Sequence, residues 1–472
     1  MAKSKKKNVA PAQDPQHSES ADERRERGRA LRATVQRTSH AGWKAAPDRR
    51  DPVDLVAQSS SDSLPALIPI RYGRMATSPF AFYRGAAALM AADLATTPTS
   101  GILVQACGDA HLMNFGGFAT PERNVIFDVN DLDETLPAPF EWDLKRLAAS
   151  VVVAADHVRL PGSDAVRLAT EVVREYRERM IDYSAMRVLD VWYDKIDLRR
   201  YQDRHADPGV LDEVRRRIAK RIDVAERKSI PETLYPKFVC EQGMQPRIKD
   251  EPPLIFHPGA DLAPGAASAY AEAITSYRKS LPDHIRTMFD RFQLFDLAIK
   301  VVGVGSVGTL CGVGLFMAGE DDPLFLQVKE ARASVLEPYA GKSRYANHGQ
   351  RVVEGQRLMQ TASDVFLGWM RAESGRHFYV RQLRDVKLAA VLDDVDTPLL
   401  RQYARMCAHA LARAHARSGD AALIAGYMGS GRAFDDAICE FAVEYGDQNR
   451  KDHRAFLHAI REGRIQAQTE PD

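Results

Sequence analysis

Cysteine is scarce and scattered. Five residues (Cys107, Cys240, Cys311, Cys407, Cys439) occur in 472 positions, with no C-x-x-C pair. That spacing excludes a zinc finger or a disulfide-stapled scaffold and points to reduced thiols in a cytoplasmic setting. Long hydrophobic runs are missing too. The longest, near Leu147–Ala155, is far shorter than a bilayer requires, and neither a membrane span nor a secretory leader is expected. The chain also lacks a surplus of one charge, with 65 Lys/Arg against 64 Asp/Glu. That balance is uneven: residues 1–50 hold 13 basic and 6 acidic side chains, leaving 52 against 58 for the remainder. The Lys3-Ser-Lys-Lys-Lys7 run opens what reads as a basic, largely disordered, solubilising arm over residues 1–40, within which Asp22–Arg37 has helical composition and is expected to lie across the surface of the main body. A basic arm alone supplies only salt-sensitive, unspecific attraction, so nucleic acid is not an expected partner. What is present, 45% hydrophobic and 27% charged residues, is the composition of a folded protein, and the length calls for two to three domains or lobes.

The most informative stretch runs from Gly101 to Ser150. A β-type run, Ile102–Gln105, leads into Cys107-Gly-Asp-Ala-His-Leu-Met-Asn-Phe115. A second, Asn124–Phe127, ends at Asp128 and opens an acidic cluster with Asp131, Asp133 and Glu134. Acids crowded at the exits of apolar strands lose solvation unless water, a cation or a ligand meets them. Phosphoryl transfer suits this layout, because it needs a carboxylate to orient or deprotonate an acceptor hydroxyl and oxygen ligands for magnesium. Asp109 fits the first role; Asn114 and Asp128 fit the second. Turn formation and capping are the bland alternative for single Asp and His residues, and His111 by itself reads as a structural hydrogen-bonding group.

Gly108-Asp109-Ala-His111-Leu-Met-Asn114 resembles the catalytic loop of the aminoglycoside and choline kinase branch of the protein-kinase-like superfamily. Phe127-Asp128 resembles that branch's metal-binding aspartate, and Asp143-Leu144 the aspartate that anchors the catalytic loop from a following helix. Cys107 stands where those kinases usually carry a histidine. From about Ala30 the chain also resembles an uncharacterised bacterial family known as domain of unknown function 2252. Arg71-Tyr-Gly-Arg-Met75, Ser78-Pro-Phe-Ala-Phe-Tyr-Arg-Gly85 and Glu134-Thr-Leu-Pro137 carry that likeness.

A second stretch begins with the β-like Leu297–Val302 and continues as Gly303-Val-Gly305-Ser306-Val-Gly308. Two more β-like runs follow, Thr309–Met317 and Leu324–Val328, the latter ending at Lys329. Glycines at these spacings let backbone amides close over phosphates. A dinucleotide-binding turn would need a helix directly after Gly308, and Gly312, Gly314, Gly319 and Pro323 interrupt that segment. A glycine-rich hairpin leading to a strand-borne lysine fits better, as in kinase nucleotide lobes. Lys329 would then meet the nucleotide phosphates with Glu354 as its anchoring carboxylate, and His377–Leu383 would be the hinge that meets adenine. Kinase-like proteins place the glycine loop and lysine before the catalytic loop. Here they follow it, which implies a circular permutation.

Elsewhere, residues 41–69 read as irregular connection and Phe80–Ala95 as one buried helix. Asp143–Val158 (central), Asp164–Met180, Ala266–Arg291, Leu399–Ala416 and Ala437–Ile460 read as helices. Leu211–Arg227 reads as an amphipathic helix with a basic outer surface, Glu251–Pro264 as a loop, and Ala421–Gly431 as another loop. The expected fold is α+β and two-lobed: a permuted kinase-like fold with a helical lobe (41–296), a small antiparallel β-rich nucleotide lobe (297–385), and C-terminal helices (386–472) packed on the helical lobe. The expected function is transfer of the ATP γ-phosphoryl group, with Mg2+, to a small-molecule hydroxyl acceptor. Two rivals are a non-catalytic nucleotide-binding regulatory module and a metal-dependent hydrolase built on Asp109, His111, Asp128 and Asp131. Nothing in the sequence sets the acceptor or the oligomeric state.

Overall fold

The computed structural model describes residues 19–205, 238–242, 245–252, 254–257, 266–300, 309–319, 322–383 and 397–468, with a few isolated positions between 212 and 235. The architecture is mixed α+β, and the strands pair antiparallel. Among the described residues no helix is long and apolar enough to cross a membrane.

The helical body forms around Phe140–His157, whose first sixteen residues are all buried. It is embraced by Gly162–Ser184, Thr397–Ser418 and Ala433–Arg461. A helix apolar almost all round belongs inside, as its sequence indicates. Into this body are set the antiparallel pair β1 (Leu103–Ala106) and β4 (Leu136–Pro139), and the hairpin β2 (Phe115–Ala119) and β3 (Val125–Val129), with β5 (Ile196–Asp197) paired to β3; β6 (Val239–Gln242) and β7 (Gln245–Ile248) form a separate two-stranded sheet.

The second body is a six-stranded sheet. It consists of β8 (Ile255–Phe256), β9 (Gln293–Lys300), β10 (Cys311–Met317), β11 (Pro323–Ala331), β12 (Gly368–Arg371) and β13 (His377–Gln382), in the order β12-β13-β11-β10-β9-β8. Period-two alternation divides its side chains. Leu326, Val328, Phe316 and Val380 lie on one side, in or against a core with Tyr277, Leu281 and Phe289 from the helices Ala266–Ser280 and Asp283–Phe289. The register Cys311↔Lys329↔Tyr379 and Val313↔Gln327↔Arg381 places those six residues on the other side.

Several expectations need correction. The sheet body starts well before residue 297, because β8 and the Ala266–Phe289 helices belong to it. Those helices are two, separated at Leu281-Pro282. Phe80–Ala95 is likewise two helices, Pro79–Gly85 and Ala87–Leu94, broken at Ala86. Residues 41–69 contain the helix Pro52–Ser59, started by Asp51 accepting from the amides of Val53 and Asp54. Ala421–Met428 is a helix, not a loop. Asp420 caps it and Gly429, at φ +72°, ends it. It is buried on several sides, so its sequence has no polar face to betray the helical period.

Of the arm expected over residues 1–40, residues 19–40 pack on the body, and the surface-lying helical segment expected at Asp22–Arg37 is present as the helix Ala21–Ala30. The helix Ala21–Ala30 crosses Ala421–Met428 at a close approach, where a Cβ on Gly28 would lie 2.1 Å from the Leu423 carbonyl oxygen. Arg32 and Arg37 donate to carbonyls at the end of that helix, and buried His40 bonds the Tyr427 hydroxyl at 2.7 Å. Residues 1–18, the glycine run 303–308 and most of 211–227 and 251–264 lie outside the described residues. β13 is an interior strand whose backbone is laddered to both β11 and β12, so the hinge role expected of it finds no free edge over His377–Val380.

Candidate functional site

The loop Cys107–Asn114 leaves β1 and is held by one stripe of the Phe140–His157 helix. Asp143 accepts from the amides of Cys107 (2.5 Å) and Gly108 (2.9 Å). Arg146, three residues on, donates its Nε to the Asp109 carboxylate at 2.5 Å. Ser150 Oγ accepts from the Leu112 amide at 3.1 Å. Positions i, i+3 and i+7 share a helix face, which is why three polar residues in an apolar helix reach one loop. Asp143 is fixed in turn by His415 (3.1 Å), whose other ring nitrogen bonds the Tyr176 hydroxyl at 2.8 Å. The anchoring role expected of Asp143 is therefore what the geometry contains. Arg146 and Ser150 join Asp143 without having been singled out by any motif; their i+3 and i+7 spacing from Asp143 is the signal the sequence carries for them.

Gly108 sits at φ +83°, and a Cβ there would fall 2.4 Å from the Glu134 carbonyl oxygen, so the loop and the acidic turn close on each other only around glycine. Asn114 donates its side-chain amide to the Asp109 carbonyl at 2.7 Å, leaving its oxygen as the free acceptor. His111 accepts from the Met113 amide through Nδ1, and burial pushes it down to about 4. Burial also pushes the Cys107 thiol well up; its sulfur donates to the Asp131 carbonyl at 3.4 Å.

Asp128 is not at the site. Its side chain is fully buried within β3, where it ion-pairs with Arg413 and accepts from the amides of Val129 (2.8 Å) and Thr361 (3.1 Å). A charged group inside a strand with every residue buried needs such a partner, and Arg413 supplies it from 285 positions away. The acids that reach open space come after the strand: Asp131, Asp133 and Glu134. They line a cavity of about 510 Å³ together with Asp109, His111 and Asn114. Burial raises Glu134 to about 7.

Lys329 reaches these same acids from the sheet. Its ammonium ion-pairs with Asp133 and lies 3.7 Å from Asp131. Burial alone would lower its pKa, but the two carboxylates outweigh it and hold Lys329 well above the ordinary lysine value. Asp133 also accepts from the Tyr379 hydroxyl at 2.8 Å. Glu354 is not the lysine's anchor: it pairs with Arg357 on its own helix, His348–Met359, at 3.0 Å. That helix instead contributes buried Arg351, which donates to the carbonyls of Thr135 (2.6 Å), Asp133 (2.7 Å) and Arg332 (2.8 Å) and so ties the acidic turn to the sheet. Gly303, Gly305, Ser306 and Gly308 lie outside the described residues.

Asp109, Asn114 and Lys329 are thus gathered around one acidic turn, while Asp128 and Glu354 are not. Oxygen donors for a hard cation exist in Asn114 and Asp131. Among the described residues no group of three or more His, Cys, Asp or Glu side chains is arranged to hold a metal.

No curated protein and no solved structure matches the chain. A family model described as "Uncharacterized protein conserved in bacteria (DUF2252)" matches residues 63–459, which include Asp109, Asn114, Asp131, Asp133 and Lys329. A match over that much of the sequence makes the protein a member of the DUF2252 family.

Proposed function

We propose that the protein is a kinase-like phosphotransferase of permuted chain order, which moves the γ-phosphoryl group of ATP to a hydroxyl of a small molecule. The observation that carries this reading is the meeting of Lys329 with Asp131 and Asp133, acids that share a cavity with Asp109 and Asn114. Phosphoryl transfer asks the protein mainly to position its reactants and neutralise charge. Magnesium prefers one or two protein carboxylates alongside substrate phosphates, and the oxygens of Asn114 and Asp131 suit that demand. When bound, it would offset charge on the transferring group.

In this reading Lys329 steadies the nucleotide phosphates. Asp109, held in place by Arg146, orients the acceptor hydroxyl. The acceptor oxygen forms a bond to the γ-phosphorus while the bond to the bridging oxygen of ADP breaks, and the hydroxyl proton passes to the Asp109 carboxylate or to solvent. The test pairs affinity for magnesium AMP-PNP with transfer from labelled ATP to a panel of small hydroxylated compounds. Lys329→Ala and Asp131→Asn should lose nucleotide affinity, whereas Asp109→Asn should keep it and lose turnover. Wild-type protein without nucleotide affinity would end the proposal.

One observation favours the regulatory-module alternative. Asp109 is already engaged by Arg146 and would have to loosen that pair to accept a proton. The alternative expects nucleotide binding with no transfer across the panel. The hydrolase reading loses Asp128, which is turned into the core against Arg413.

A further inference from the structure

The cavity that holds the acids has a cationic side as well. Arg50, Arg71, Arg84 and Arg332 all line it. Two of them have ready protein partners: Arg332 pairs with Glu330 at 3.1 Å, and Arg50 donates to Gln58 at 2.7 Å. The other two stand on the consecutive helices Ile68–Ala76 and Pro79–Gly85. Arg71 is buried and donates to the Ser60 hydroxyl (2.8 Å) and the Gly85 carbonyl (3.1 Å), both neutral groups, leaving its Nε buried without a partner. Arg84 is half-buried, has no hydrogen bond or ion pair among the described residues, and also leaves its Nε buried and unpartnered. Burial lowers the pKa of both groups.

Arg71 alone could be a clamp between residues 60 and 85. Arg84 clamps nothing among the described residues: the carboxylate near it, Asp109, is bonded to Arg146, and a half-buried guanidinium whose buried Nε has no partner gains from an anion that a ligand brings. Its charged neighbour is Asp109, whereas Lys329 is surrounded by Asp131, Asp133, Tyr379 and Arg381. Arg84 therefore stands on the Asp109 side of the cavity, while Lys329 lies behind the Asp131–Asp133 turn that lines it.

Resting on the phosphotransferase reading, we propose that the hydroxyl acceptor is itself anionic, a hydroxylated phosphate or carboxylate whose charged group is received by Arg84 and Arg71 while its hydroxyl meets Asp109. Planar guanidinium groups match both anions through paired N–H donors. A neutral or cationic acceptor would leave both arginines without a directly bonded anion among the described residues.

The test uses the full-length protein and three probes of similar size: glycerol 3-phosphate, glycerate and glycerol. Calorimetric titration should detect at least one of the two anions at millimolar concentration and not glycerol, and which anion binds separates phosphate from carboxylate recognition. Arg84→Gln should weaken that anion by about tenfold or more while leaving the affinity for magnesium AMP-PNP within about twofold. Lys329→Ala should do the reverse. Arg84 makes no hydrogen bond or ion pair among the described residues, so its variant should fold even where Arg71→Gln does not. The proposal is overturned if neither anion binds, if glycerol binds equally well, or if Arg84→Gln loses the nucleotide to the same degree. Anion binding lost in Arg84→Gln, from a protein that never binds AMP-PNP, would instead remove the phosphotransferase reading and leave an anion site without a transfer role.

Discussion

Replacing Asp128 separates a structural acid from a metal ligand. Its side chain and that of Arg413 each have 0% exposure, and Asp128 also accepts two backbone amides. Asp128→Ala therefore strands a guanidinium in the core together with the Val129 and Thr361 N–H groups. Removing one partner of such a pair costs about 3–5 kcal/mol, or about 150- to 5,000-fold in the folding equilibrium. Against a usual total of about 5–15 kcal/mol, that is a large share. Urea denaturation followed by far-UV circular dichroism should show an early transition for Asp128→Ala. The double variant Asp128→Ala/Arg413→Met should recover much of the loss, because an apolar pair of similar volume removes the stranded charge. Asp131→Ala, at a site with 36% side-chain exposure, should leave the transition close to wild type. If Asp128→Ala unfolds like the wild type and instead selectively loses magnesium-dependent nucleotide binding, the assignment of Asp128 to the core is wrong.

Three more outcomes follow from the same geometry. Gly108→Ala forces a side chain to φ +83° and against the Glu134 carbonyl, so thermal unfolding should register a loss of at least about 1–2 kcal/mol; an unchanged melting curve would contradict the close approach. Burial holds His111 near about 4 against an ordinary 6.5, so the folded protein binds fewer protons than the unfolded chain between those values. Its contribution is complete above pH 6.5 and declines as the pH falls towards 4, and His111→Asn should flatten that part of the stability profile, whereas superimposable profiles would refute the burial. Glu354→Ala removes only a pair with Arg357 on the same helix and should shift stability by no more than about 0.5 kcal/mol, with nucleotide affinity unchanged by calorimetry.

What could be read from the chain was local. The Asp109–Asn114 loop lies between strands because apolar runs flank it, and Phe140–His157 is central because it is apolar almost all round and spends its one polar stripe on that loop. Lys329 is legible because it follows the β-like run Leu324–Val328, although the strand itself continues to Ala331. The failures concern partners distant in sequence. Whether Asp128 or Asp131 meets the cavity depends on where β3 ends, and β3 runs one residue past Asp128 to Val129 before the chain turns out. Arg413, which makes Asp128 a core residue, gives no sign of that pairing in its own helix. Lys329 was matched with an acid from the next helix by analogy of order, while the acidic turn itself supplied Asp133. Charge dominates residues 19–40, which marks a surface helix but not its docking site: Arg32 and Arg37 spend that charge on carbonyls at the end of Ala421–Met428.

The most direct examination of the shared cavity is a crystal structure with magnesium and AMP-PNP. The triphosphate should lie in the cavity, with Lys329 Nζ within hydrogen-bonding reach of a phosphate oxygen, the metal on Asn114 and Asp131, and the γ-phosphate towards Asp109. A nucleotide bound elsewhere on the protein, or an empty cavity at saturating nucleotide, would contradict the account.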